Sequence, residues 1–144
     1  MRPILVASNI VMDVSRSRIL LGRRADNDCW EFPGGKVEAE SVVEAGRREQ
    51  YEETGMELLG EPALVGLADG WEWIGVTGKQ WYVCAGLLWT RFNGEPELVE
   101  GKHVEWRWFS GNELPSPKDC TYGTIDLMKI MIAEFSNIAQ LLTK

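Results

Sequence analysis

The sequence predicts one domain over residues 1–144, an α+β or α/β sandwich, for which a mixed sheet with helices on two sides is one arrangement. Three observations predict this. Short runs of β-branched, aliphatic and aromatic residues recur along the chain, separated by turn residues. One internal segment, Ser41 to Gly55, carries the signals for both ends of a helix. The last segment, Tyr122 to Leu142, spaces its apolar residues as a helix packed on a sheet would.

Taken in order, Ile4 to Met12 is apolar and partly β-branched, and predicts a strand. Asp13 to Arg18 is polar and predicts a turn, after which Ile19-Leu20-Leu21 closes a hairpin. Ala25 to Asp28 is a loop. Trp30-Glu31-Phe32 is a short extended piece stopped by Pro33-Gly34-Gly35. Ser41 and Glu44 form an S-x-x-E capping box, and Gly55 is a natural stop, framing a helix of about 13 residues. Glu57 to Leu67 reads as a strand interrupted by Gly60-Glu61-Pro62. Trp71 to Ile74 and Gln80 to Thr90 read as a second hairpin around Gly75 to Lys79, and Val104 to Phe109 as a further strand. No internal repeat or linker breaks the chain.

A length of 144 residues suits one domain with its own core. Apolar residues at 44% and charged residues at 26% are ordinary for a globular protein. No apolar run approaches the roughly 20 residues a membrane span needs. The N-terminus turns polar too soon for a signal peptide, so the expected location is the cytoplasm. Cys29, Cys84 and Cys120 are odd in number and form no CxxC pair, which predicts separate thiols rather than disulfides or a zinc site. A net charge of −7 disfavours a long nucleic acid as partner. It remains compatible with a single nucleotide held through a divalent metal, which supplies the missing positive charge.

The chemistry concentrates in the internal helix. Glu49, Glu52 and Glu53 stand at i, i+3 and i+4, so their side chains share one face. They lie near the negative end of the helix dipole, which worsens their mutual repulsion. A hard divalent cation such as Mg²⁺ or Mn²⁺ relieves it through oxygen ligands. From the triad alone, a solvated acidic face bridged by Arg47 and Arg48 is the ordinary alternative. Pro33-Gly34-Gly35 adds a glycine-permissive turn that lets backbone, including a carbonyl, approach a ligand closely.

The stretch GGKVEAESVVEAGRREQYEETGM, from Gly34 to Met56, resembles the motif GX5EX7REUXEEXGU of the Nudix family, with U an aliphatic residue. From Glu40 onward the spacing is kept, through Arg48-Glu49, Glu52-Glu53, Gly55 and Met56. Two departures stand out. Four residues rather than five separate Gly35 from Glu40, and Gln50 replaces an aliphatic residue. A buried amide there needs partners or costs about 1–3 kcal/mol, and Gly46 costs the helix about 1 kcal/mol.

The resemblance implies a Nudix fold, a mixed curved sheet flanked by the motif helix and a C-terminal helix. It implies Mg²⁺ or Mn²⁺ as cofactor. Glu52 and Glu53 are then similar to the principal metal ligands, and Glu49 to a ligand or the base that orients water. Arg48 pins a carboxylate, Glu40 is structural, and a carbonyl of Gly34-Gly35 joins the metal shell. Glu105 resembles a later-loop acid that completes such sites, with Glu100 as the fallback. The implied activity is pyrophosphohydrolysis of a nucleoside triphosphate to the monophosphate and pyrophosphate, with oxidised or noncanonical dNTPs among the candidates. ADP-ribose or another nucleotide sugar, a dinucleoside polyphosphate, and a non-hydrolytic nucleotide-binding module are the alternatives. RNA cap removal is disfavoured by the acidity. A homodimer is left open.

Seven tryptophans are many for this length. Most belong to a core, but Trp71 and Trp73, beside Gly70 and Gly75, are candidates for stacking a base. Segments around Trp30 and from Val104 to Pro115 resemble the MutT-like branch, in which Lys118 and Asp119 would help to read the base. His103, the single histidine, is expected on a surface loop.

Overall fold

The computed structural model describes residues 2–74 and 78–134, apart from the side chains of 72–74 and 134. Nine strands and two α-helices are found among them. The strands are β1 (Ile4–Asp13), β2 (Arg18–Arg24), β3 (Trp30–Glu31), β4 (Gly34–Lys36), β5 (Glu57–Leu58), β6 (Ala63–Ile74), β7 (Gly78–Trp89), β8 (Phe92–Asn93) and β9 (His103–Ser110). The helices are α1 (Val42–Thr54) and α2 (Tyr122–Glu134).

Strand β1 is the axis of the sheet. It runs parallel to β7 from Ile4↔Tyr82 to Val11↔Trp89. On its other side it pairs antiparallel with β4 near its start and with β2 at its end. Strands β3 and β9 extend the sheet from β2, and β6 extends it from β7. This is the mixed sheet the sequence predicts. Because β1 is buried on both faces from Ala7 to Met12, it does not alternate apolar with polar residues, and only Ser8 and Asn9 interrupt its apolar run there. Ile10 and Met12 join a core with Leu127, Met128 and Met131 of α2. Ala7 and Val11 join a second core with Ala45 of α1, Leu87 and Trp89. Burial on both faces gives the α/β/α layers.

Helix α1 has the predicted ends. The Ser41 hydroxyl accepts from the Glu44 N–H at 3.1 Å, and Gly55 closes the helix at φ 76°. Of the expected C-terminal helix, Tyr122–Glu134 is present and residues 135–142 lie outside the described residues. Elsewhere the sequence reading needs correction. The segments expected as Glu57 to Leu67 and Trp71 to Ile74 are a two-residue strand, β5, and one long strand, β6. Gly66 and Gly70 do not break β6, because its backbone stays paired with β7 through a bulge between Leu64 and Gly66. They admit α2: a Cβ at Gly66 would lie 2.9 Å from Ile130, and one at Gly70 would lie 3.5 Å from Tyr122. Of the turn expected at Gly75 to Lys79, Gly78 and Lys79 belong to β7, and residues 75–77 lie outside the described residues. Gly34-Gly35, expected as loop, is part of β4 and pairs with Ser8 and Ala7.

Gln50 is fully buried, and the fold supplies its partners. Its Oε1 accepts from Asn9 Nδ2 at 3.2 Å, and its Nε2 donates to Thr54 Oγ1 at 3.3 Å. Asn9, also fully buried, donates to the Gly46 carbonyl at 2.8 Å and accepts from the Trp89 indole N–H at 2.9 Å. Gly46 is required here, because a Cβ would come within 2.7 Å of Asn9 Oδ1. Asn9→Leu is therefore expected to cost about 2–3 kcal/mol, as it strands the indole N–H and the Gln50 amide oxygen. Urea denaturation of the variant measures this.

Candidate metal and nucleotide site

Two glycines bring α1 to the sheet. The Gly34 N–H donates to Glu53 Oε1 at 2.8 Å, tying the helix to β4. A Cβ at Gly35 would fall 2.4 Å from the Glu49 carboxyl carbon, so the absence of a side chain there makes room for Glu49. The glycine pair thus receives two carboxylates spaced four residues apart on one helix face.

Cations neutralise this face. Arg48 donates to Glu40 at 2.6 Å, Glu49 at 3.0 Å and Glu52 at 3.2 Å, and to the Lys36 carbonyl at 3.1 Å. It thereby ties three carboxylates to the β4 backbone. Its hydrogen bonds hold the Glu40 carboxyl below its ordinary value. Glu53 is 2% exposed and pairs with Lys102 Nζ at 3.1 Å. Burial pushes the Glu53 and Glu49 carboxyls up, against the pull of Lys102 on the first and Arg48 on the second.

Behind Lys102 lies a second charged group that the sequence reading missed. Glu31 accepts from His103 Nε2 at 2.8 Å and from Arg24 at 3.2 Å, and lies 3.8 Å from Lys102 Nζ. Burial would raise the Glu31 carboxyl, but these partners hold it below its ordinary value. His103 is 5% exposed, packed at a tilt against Trp106 and bonded to Glu31, so the surface position expected for it is corrected. It opens β9, where pairing with Arg24 of β2 carries it inward. The one signal for Glu31 is its place between Trp30 and Phe32, whose rings turn into the core. Lys102 has no local signal.

A cleft of about 470 Å³ opens beside these groups. Arg24, Glu31, Gly34, Gly35 and Lys102 line it, as do Trp71, Tyr82, Tyr122 and Thr124. Trp71 stacks on Tyr122 with centroids 6.1 Å apart, making an aromatic wall. The side chain of Trp73 lies outside the described residues. Lys118 and Asp119 sit exposed on a 3-10 turn, where Ser116 Oγ lies 2.7 Å from Asp119 Oδ2, and neither lines the cleft. Glu105 pairs with Arg107 at 2.6 Å and Arg23 at 3.4 Å rather than with the helix carboxylates. Cys29, Cys84 and Cys120 all line the cleft as free thiols.

Among the described residues no three acidic, histidine or cysteine side chains converge on one point as a metal site. The donor chemistry nevertheless fits Mg²⁺ or Mn²⁺. Three hard oxygen donors share a face, and two of them press against glycines beside the cleft. A metal requires them ionised. With Glu49 and Glu53 raised above 4.5, protons hold these sites in a window starting at that value and extending upward. Mn²⁺ affinity is therefore expected to rise with pH through that window, with proton release on binding. Calorimetric titration in two buffers of different ionisation enthalpy checks this.

Comparison with known proteins identifies the family. The family model for the NUDIX domain matches residues 3–125. A MutT-like protein of Streptomyces ambofaciens is 50% identical over 42 residues, covering 28% of this chain and 27% of that protein. An RNA pyrophosphohydrolase of Xanthomonas oryzae pv. oryzae is 32% identical over 115 residues, covering 69% of this chain and 56% of that one. The chain thus spans from about a quarter to about half of the length of these relatives. The crystal structure of a MutT NUDIX hydrolase from Burkholderia pseudomallei superposes with a TM-score of 0.76 at 30% identity, covering 90% of this chain and 98% of that one. Among the described residues no helix is long and apolar enough to cross a membrane.

Proposed function

Because the chain belongs to the NUDIX domain family, we propose that it is a metal-dependent pyrophosphohydrolase acting on a nucleoside triphosphate. Oxidised or other noncanonical dNTPs are among the candidates, and the cytoplasm is the expected compartment. The observation that carries this reading is the pair of carboxylates, Glu49 and Glu53, seated on Gly35 and Gly34 at the edge of a nucleotide-sized cleft.

Glu49, Glu52, Glu53 and a carbonyl of Gly34-Gly35 would hold Mg²⁺ or Mn²⁺. Glu105 would join them only by leaving Arg23 and Arg107. When bound, the ion would neutralise charge on the phosphates and lower the pKa of a water toward neutral. Arg48 fixes Glu49 and Glu52, so their oxygens need little reorganisation. Glu49, half-buried and raised, is suited to take the proton of the attacking water. That water attacks phosphorus and the anhydride oxygen leaves, giving the monophosphate and pyrophosphate. Arg24 and Lys102 face the cleft as cations for phosphate oxygens, and Trp71 offers a ring to the base.

The test is a panel of canonical and oxidised triphosphates, ADP-ribose, a dinucleoside polyphosphate and a 5′-triphosphorylated RNA, each with Mg²⁺ or Mn²⁺. Fastest pyrophosphate release from a free triphosphate is expected. Preference for ADP-ribose or RNA would overturn the substrate assignment. Nucleotide binding without any turnover would favour a binding module instead.

A further inference from the structure

Lys102 stands between two carboxylates and the cleft. Its ammonium lies 3.1 Å from Glu53 and 3.8 Å from Glu31. The two partners depend on it unequally. Glu31 also has Arg24 and His103. Among the described residues, Lys102 is the only cation within ion-pair distance of Glu53, whose side chain is 1% exposed. Lys102 itself is 37% exposed and lines the cleft. Its backbone is anchored, since its carbonyl accepts from the Ala25 N–H at 2.9 Å and buried His103 follows it. Its four-carbon stem is free to move the ammonium while the anchor stays fixed.

We propose that Lys102 is the resident counter-ion of Glu53, displaced when the divalent cation enters and delivered into the cleft to meet an anionic group of the substrate. This rests on the metal-site reading above. An ammonium and a divalent ion on one buried carboxylate repel each other, so entry of the metal expels Lys102 from Glu53. The cleft is the open side available to it, and there it adds positive charge where phosphates would sit. Metal and substrate binding are thereby coupled through one side chain.

Calorimetric titration with Mn²⁺ alone tests the first half. Lys102→Met is expected to bind Mn²⁺ about tenfold more tightly than wild type, because the competing cation is gone. Lys102→Arg, which keeps the charge, should stay near wild type. Lys102→Gln, which keeps a hydrogen-bond donor for Glu53, carries the same expectation as Lys102→Met and serves if that variant does not fold. Imidodiphosphate added to the Mn²⁺-saturated proteins tests the second half, and should bind about tenfold more weakly to the uncharged variants. Unchanged or weaker Mn²⁺ affinity in both uncharged variants, with wild type binding normally, would overturn the counter-ion role and leave the metal site standing. Unchanged imidodiphosphate affinity would overturn the delivery. Failure of wild type and all variants to bind Mn²⁺ would remove the metal site and this inference together.

Discussion

Glu53→Gln is expected to lower kcat on the preferred triphosphate by on the order of a thousandfold while the protein stays folded. Glutamine matches glutamate in shape, and its amide oxygen can still accept the Gly34 N–H. What it loses is the charge. Glu53 is buried and its carboxyl is pushed up, so the ionised form is held at a cost in the absence of a divalent cation. The sign for stability follows. A raised carboxyl binds its proton more tightly in the folded state, so its ionisation weakens the fold as pH climbs above 4.5 through the folded value. Removing the charge should flatten that part of the stability profile, although Lys102 loses a partner. Steady-state kinetics and thermal melts of the variant across pH 5 to 8 measure both effects.

Gly34→Ala is expected to destabilise the protein by about 3 kcal/mol, lowering Tm by about 10 °C in a chain of this size. Gly34 has φ 150°, where an L side chain is strained, and a Cβ would lie 2.0 Å from the Ala7 carbonyl oxygen. That oxygen is backbone of the central strand and has no room to yield. Gly35→Ala fails differently. Its Cβ meets the Glu49 side chain rather than backbone, so the carboxylate is displaced and activity is lost ahead of stability. Melting curves and kinetics on both variants separate the two roles. Equal stability loss in both would contradict the division of labour.

The sequence was legible where a local pattern has one physical outcome. Ser41, Glu44 and Gly55 set the ends of α1, and the i, i+3, i+4 spacing put Glu49, Glu52 and Glu53 on one face. The largely apolar run of β1 predicted a strand, and its two-sided burial accounts for that run. Partners contributed by distant segments were illegible. Asn9 answers Gln50 across 41 residues, and Lys102 reaches Glu53 across 49. Glu31 and His103 meet only because β9 pairs with β2, which in turn pairs with β3. The role of Gly66 and Gly70 in β6 was illegible because their use, the close approach of α2, is tertiary.

The central claim is that the helix carboxylates on Gly34-Gly35 support metal-dependent cleavage of a phosphoanhydride bond. Phosphorus NMR of one nucleoside triphosphate turned over in the presence of Mg²⁺, and again after EDTA, tests it most directly. The account predicts equal amounts of nucleoside monophosphate and pyrophosphate with Mg²⁺, and neither once the metal is chelated. Orthophosphate and nucleoside diphosphate as products, or turnover that survives EDTA, would contradict it.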